Sequence, residues 1–432
     1  MNRMMRVAFA LVVLCEAAAM ASEAATRPVP GTPQDQTRAI QQLLDEAAAR
    51  GGGEAVLGPG QYTLRGSISV PTGVTLRGAW EQPHHGILTC GTVLMAYGGR
   101  GKEDGPALIE LAQSSGVKGI TICYPEQTLA DIQPYPWAIH GRGMHNSIEN
   151  VTLVNAWQGI AIGPETNELH TIRNVYGCVL RRGVFIDNTT DIGRIENVHF
   201  NPHYWPRSGH AGALRGDRAN RDLTVAAVMQ QNLEAFVFGR TDWQSVRDTF
   251  VFGAKIGYRF IATAKGACNG QFSGIAADAC QTCVQVDAAQ GPGLLISNGQ
   301  FVCLRLSDKA EPRIGVVTGP GFNAAVQLTN CSFWGDFTSI ARIEGTGLFT
   351  MSQARVGGNR GPALEILGGR AVVREVLFFR SRGAHIVVGP DVKRVVAANN
   401  FADGGVDIVN HAGERLVARD NEPRPPAAAP AR

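Results

Sequence analysis

The sequence predicts an all-β fold: a parallel β-helix, a solenoid of many short strands, with a single capping helix near the N-terminus. Three observations carry that prediction. Glycine accounts for 52 of 432 residues, about 12%, and is spread among short Val, Ile and Phe runs, the mark of many turns between short strands. One motif recurs at spacings of 24 and 23 residues: Ile148-Glu-Asn150-Val, Ile172-Arg-Asn174-Val and Ile195-Glu-Asn197-Val. Each copy is followed by a second short strand rather than a helix, as in Gly159-Ile-Ala-Ile162 and Gly183-Val-Phe-Ile186. A repeat of that length suits one solenoid coil, whereas a propeller blade needs ~40 residues.

Composition excludes several alternatives. The chain is 44% hydrophobic and 18% charged, which rules out a wholly disordered chain and a polytopic membrane protein. No G-X-Y period is present, so collagen is excluded. With 40 basic and 37 acidic residues the net charge is +3, too balanced for a general nucleic-acid binder.

The elements follow in chain order. Residues 1–21 read as a signal peptide: Arg3 and Arg6, an apolar run from Val7 to Leu14, and a small-x-small site at Ala19-Met20-Ala21. The run is too short to span a membrane, and Cys15 follows Leu14 where a lipoprotein box needs a small residue. A secreted or periplasmic protein without a membrane anchor is expected. Residues 22–420 are assigned to one domain. Its helix, about 37–50, places Ile40, Leu43, Leu44 and Ala47 on one face; Asp35 or Thr37 caps it and Gly51-Gly-Gly53 ends it. Strands then follow at Glu54–Leu57, Tyr62–Leu64, Ser67–Val70 and Val74–Leu76. In a coil, Asn150, Asn174 and Asn197 fall one strand spacing apart, and their amides are expected to point inward and bond to one another. Residues 200–234 break the period and read as one enlarged turn, with a short helix near Leu223–Leu233. The Pro- and Ala-rich tail, 421–432, is expected to be disordered.

Thr37-Arg-Ala-Ile-Gln, Gly51-Gly-Gly-Glu-Ala-Val-Leu-Gly-Pro-Gly-Gln-Tyr and Ile68-Ser-Val-Pro-Thr-Gly-Val-Thr-Leu-Arg-Gly78 together resemble the opening of the pectate-lyase-like superfamily. That resemblance implies a right-handed coil. It implies no particular activity, because the superfamily holds lyases, glycoside hydrolases, epimerases and tailspike depolymerases. The polygalacturonase motifs and the pectate-lyase calcium cluster are missing from this chain.

A coil of this kind lines up its corner loops as a groove, which suits a polymer. The expected function is a polysaccharide-active enzyme: a glycoside hydrolase with a carboxylate pair, or alternatively a polysaccharide lyase with Arg and a His or Tyr base, or a non-catalytic glycan-binding solenoid. Asp187 and Asp242 on neighbouring coils form the first carboxylate pair, with Glu165 as the third candidate; glycosidases need carboxyls ~5–9.5 Å apart. His203, or His199 before it, is a candidate acid or base. Tyr204 and Trp205 in the enlarged turn, and Tyr135 and Trp137 one coil upstream, are candidate sugar platforms. Trp157 and Trp243 fit core positions better. Arg181, Arg182 and Arg240 are placed to pair with acidic groups of a substrate. No metal or cofactor is expected: Cys280-x-x-Cys283 lacks a second pair and reads as a local disulfide or buried thiols, and Pro202 argues against a helical His199/His203 pair. The expected partner is an oligo- or polysaccharide, and a homotrimer is one assembly open to such a coil.

Overall fold

The computed structural model describes residues 27–80, 87–210, 212, 218–306 and 312–424. The expected signal peptide and the tail beyond 424 lie outside these residues. The described chain is a right-handed parallel β-helix. Every pairing between its strands is parallel, so each strand reaches its sheet neighbour by passing through two other sheets, a crossover that is right-handed in nearly all proteins.

Three sheets run the length of the coil. In the first, Ile148 pairs with Ile172 and Ile172 with Ile195, so the repeat seen in the sequence is a vertical stack. The second holds Gly60–Leu64, Thr92–Ala96 and later Ser332–Gly335, Arg355–Gly357 and Leu377–Phe379. The third holds Ile109–Leu111, Trp137–Gly141, Glu234–Phe238, Ile256–Phe260 and Thr282–Val286. It also takes the ends of Ser147–Ile162 and Thr171–Ile186.

The core fills the centre of the coil. Ile160, Val184, Phe236, Tyr258 and Val284 are consecutive rungs of the third sheet and are all buried. Phe236 lies parallel to Tyr258 at 4.9 Å and packs against Phe200 at 5.4 Å. Where facing rings come this close, the backbone of the next strand must be small: a Cβ on Gly183 would stand 2.3 Å from the Ala235 carbonyl and 2.5 Å from the Phe200 ring.

The turn between the first and second sheets explains the repeated Asn. Asn150, Asn174 and Asn197 have φ of 55°, 55° and 50°, the left-handed region that Asn tolerates better than most residues. Their amides form the expected ladder, with Nδ2 of Asn174 donating to Oδ1 of Asn150 at 2.9 Å and Nδ2 of Asn197 to Oδ1 of Asn174 at 2.9 Å. The expected direction is corrected: the ladder lies on the outside of the turn, with Asn197 exposed. A left-handed residue reverses the chain inward and so carries its own side chain outward. Asp248, Asn298, Asn330, Gln353 and Asn399 hold the same conformation in later coils.

Helix α1, Thr37–Ala49, closes the first coil with Ile40, Leu44 and Ala47 fully buried. Oδ1 of Asp35 accepts from Thr37 N at 3.0 Å and from Arg65 N at 3.0 Å, fixing the helix start to the first turn. Among the described residues between Phe200 and Glu234 lie a short 3-10 turn, Pro202–Tyr204, and one helix. That helix, α2, Arg218–Asn232, starts earlier than the sequence suggested and packs over the corner between the second and third sheets. Val225 and Met229 are buried there, and Nε2 of Gln230 donates to the carbonyls of Ala279 and Leu304 at 2.6 and 2.7 Å. Cys280 and Cys283 are free buried thiols, with Cys303 Sγ 3.7 Å from that of Cys283. Asn421, placed in the tail by the sequence, accepts from Asn400 Nδ2 at 2.8 Å and donates to the Ala397 carbonyl at 2.9 Å.

Candidate functional site

The outward face of the third sheet collects the chemistry. Register places Glu110, His140, Ala161, Phe185, Val237, Arg259 and Gln285 in one row along the coil axis. Loops after each strand form one edge of this face; α2 and its turn form part of the other.

At the N-terminal end, two carboxylates meet on one guanidinium. Arg142 Nε donates to Glu110 Oε2 at 2.6 Å and Arg142 Nη1 to Glu165 Oε1 at 2.7 Å. Between them, His140 Nδ1 lies 3.3 Å from Glu110 Oε2, and His140 Nε2 lies 2.6 Å from the Gly163 carbonyl and 3.8 Å from Glu165 Oε2. The two acids differ in setting: the Glu110 side chain is 14% exposed and that of Glu165 is 42% exposed. Burial alone raises the pKa of Glu110, but hydrogen bonds from His140, Arg142 and the Ala107 amide outweigh it and hold the carboxyl at about 2. It is therefore a permanently charged group at neutral pH, suited to act as base or nucleophile and unsuited to donate a proton.

The depressed pKa has a direct consequence for stability. Glu110 contributes stability that is fully present above its ordinary value of 4.5 and is lost as pH falls through about 2. The difference in unfolding free energy between the parent and Glu110→Gln should therefore shrink between about pH 5 and pH 2. Chemical denaturation at several pH values measures it, and a difference that stays constant over that range removes the Glu110 charge from the stability of the coil.

Beside the carboxylates, the Trp137 and Phe185 rings lie nearly parallel, 6.2 Å apart at 20°. Both are partly exposed, while Ala161, in register between His140 and Phe185, is only 2% exposed. The sheet thus presents an aromatic strip over a small-residue floor. Further along, the buried carboxylate of Glu234 gathers Arg181, Arg182 and Arg259 at 3.6, 3.9 and 2.6 Å.

Asp187 and Asp242 do come to one corner on neighbouring coils, since Thr189 pairs with Thr241. Their surroundings are those of turn residues. Asp187 is 4% exposed, and its Oδ1 accepts from the Asn188 and Arg240 amides and from Thr263 Oγ1, each at 2.9 Å. Asp242 is held by Arg240 Nη2 at 2.7 Å and by Gln290 Nε2 at 2.7 Å. Arg240 is thereby occupied within the corner.

Two of the expected sugar platforms are corrected. Trp205 and Tyr135 are fully buried, because the enlarged turn folds back on the coil and the Tyr135 ring packs on Tyr124 at 4.6 Å. Tyr204 is half-buried, its hydroxyl 3.1 Å from His199 Nδ1. Trp243, expected in the core, is 67% exposed, since it takes the left-handed conformation at φ 54° and points out. His203 lies on the enlarged turn with Nε2 3.5 Å from Oδ2 of Asp222, which also binds Arg207. That is the opposite edge of the third sheet from Glu165. Burial, with the neighbouring His203 charge, lowers the pKa of His199 to about 4. No three His, Cys, Asp or Glu among the described residues gather as metal ligands.

Glu110, His140, Arg142 and Phe185 are missed by sequence reasoning. Ile109-Glu-Leu111 and Ala138-Ile-His-Gly141 each show one polar residue between apolar ones. Alternation marks those side chains as outward, but the repeat that would have aligned them is only legible from residue 148.

No family model matches the chain, and no curated protein matches it. Solved structures do match. The tailspike protein of E. coli bacteriophage HK620, a mutant in complex with a hexasaccharide, aligns with a TM-score of 0.54 and 10% identity over 91% of this chain and 75% of its own. The catalytic unit of a GH87 alpha-1,3-glucanase from Streptomyces thermodiastaticus aligns with a TM-score of 0.52 and 13% identity over 92% of this chain and 70% of its own. At this identity the likeness is one of fold, a right-handed parallel β-helix.

Proposed function

We propose that this chain is a glycan-processing enzyme, a glycoside hydrolase that holds a polysaccharide along the outward face of the third sheet. The observation that carries the proposal is the pair Glu110 and Glu165 on Arg142, next to the Trp137–Phe185 strip. Sugar rings stack on flat aromatic faces, and hydrolysis needs two carboxyls flanking the scissile bond. Glu110, held charged at neutral pH by its hydrogen bonds, attacks the anomeric carbon or activates water. Glu165, the more exposed acid, protonates the leaving oxygen. Proteins of this fold include a glucanase and a tailspike solved with a hexasaccharide, which supports the glycan as substrate. The reading of residues 1–21 as a signal peptide goes with an activity in the periplasm or outside the cell.

A lyase on the same face needs a free base near the sugar. His140 Nε2 is engaged with the Gly163 carbonyl at 2.6 Å, which favours hydrolysis. Purified protein incubated with a panel of neutral and acidic glycans should release reducing ends with no gain in near-ultraviolet absorbance. Product absorbing in the near ultraviolet selects the lyase instead, and binding without cleavage selects a non-catalytic solenoid.

A further inference from the structure

A second groove lies at the other end of the coil, on the second sheet and its corner with the third. One part, about 470 Å³, is lined by Asp336, Arg360, Arg380 and Arg382; the other, about 430 Å³, by Trp334, Arg355, Phe379 and Arg380. Gly335 and Gly358 belong to both parts. They have φ of 129° and 80°, and a Cβ on Gly358 would meet the Gly335 carbonyl at 2.3 Å. Gly357 pairs with Phe379, so the next rung after Gly358 is Arg380. It too is left-handed, with φ 52°, an unfavourable conformation for Arg. A strained backbone therefore presents a guanidinium where the coils before it carry glycine.

Charge in the groove is unbalanced. Asp336 is its one lining carboxylate, and it is taken by Arg313 at 2.8 Å and by Arg360 at 2.5 Å. Arg355 sits over the Phe379 ring at 4.1 Å. No carboxylate among the described residues pairs with Arg380 or Arg382. Beside them Trp334 is 46% exposed. Free guanidiniums match carboxylate or sulfate oxygens bidentately, and an exposed indole offers a face for a sugar ring.

We propose that this groove binds an acidic polysaccharide chain, at a site separate from the carboxylate pair. The anion site stands on the charges alone; the choice of a glycan over another polyanion rests on the functional reading above. Affinity electrophoresis and calorimetry on the full chain should show binding to polygalacturonate or to heparin but not to dextran, with preference between the first two telling carboxylate from sulfate. The Arg380→Ala/Arg382→Ala double variant should bind roughly tenfold or more weakly, the binding of the parent should weaken with added salt, and the unfolding midpoint should be unchanged. Trp334→Ala should weaken binding without altering the salt dependence. A double variant that binds within twofold of the parent overturns the proposal, as does a single-stranded DNA oligonucleotide binding as tightly as the acidic glycan. A chain that binds acidic glycan through these arginines but cleaves nothing in the panel would refute the hydrolase and leave this site standing.

Discussion

Glu165→Gln should lower turnover of a confirmed glycan substrate by ~10²–10⁴-fold, the usual contribution of a positioned acid or base. The unfolding midpoint should barely move. The side chain is 42% exposed and its ion pair with Arg142 is open to solvent, so the pair contributes little to stability. Glu110→Gln should cost turnover comparably, since it removes the charge that attacks or activates water. Asp187→Ala makes the contrast. Its Oδ1 accepts three hydrogen bonds that shape the corner, so that variant should unfold more readily, by about 1–3 kcal/mol. Steady-state kinetics with thermal unfolding of all three variants separates the roles. Near-normal turnover in both Glu variants would dismiss the Glu110/Glu165 pair.

Phe236→Ala should destabilise the coil by about 3–5 kcal/mol, as for other large-to-small changes at buried aromatic positions. The ring is fully buried, stacked on Tyr258 and packed on Phe200, so its loss opens a void in the middle of the solenoid. A solenoid rung contacts only its neighbours, and the damage should concentrate in the coils carrying Arg182, Glu234 and Arg259. Urea unfolding gives the free energy, and hydrogen exchange should locate the lost protection there. A loss under about 1 kcal/mol would mean that the neighbouring rings close the void.

The coil itself was legible because its period is written in residues that local geometry demands. Asn recurs at 150, 174 and 197 since the turn needs a left-handed residue once per circuit, and Ile148, Ile172 and Ile195 recur because each rung must fill the same interior. Residues 200–234 show in the sequence as a break in that period, and the pairing of Thr189 with Thr241 puts Asp187 and Asp242 on neighbouring coils.

The candidate site was less legible, because it depends on which outward side chains meet. Glu110, Arg142 and Glu165 are separated by 32 and 23 residues, and nothing local distinguishes an outward Glu that meets another acid from one that faces water. Nor can aromatic character reveal burial: Trp205 and Tyr135 sit in proline-rich loops that resemble platforms, and only their fully buried positions assign them to packing. Sequence alone determined the winding of this protein, since winding is a repeated local solution to turn geometry and core filling. Tertiary structure decided which charges share one guanidinium and which rings stay open to solvent, because those are set by side chains from different coils meeting across a distance that no local pattern records.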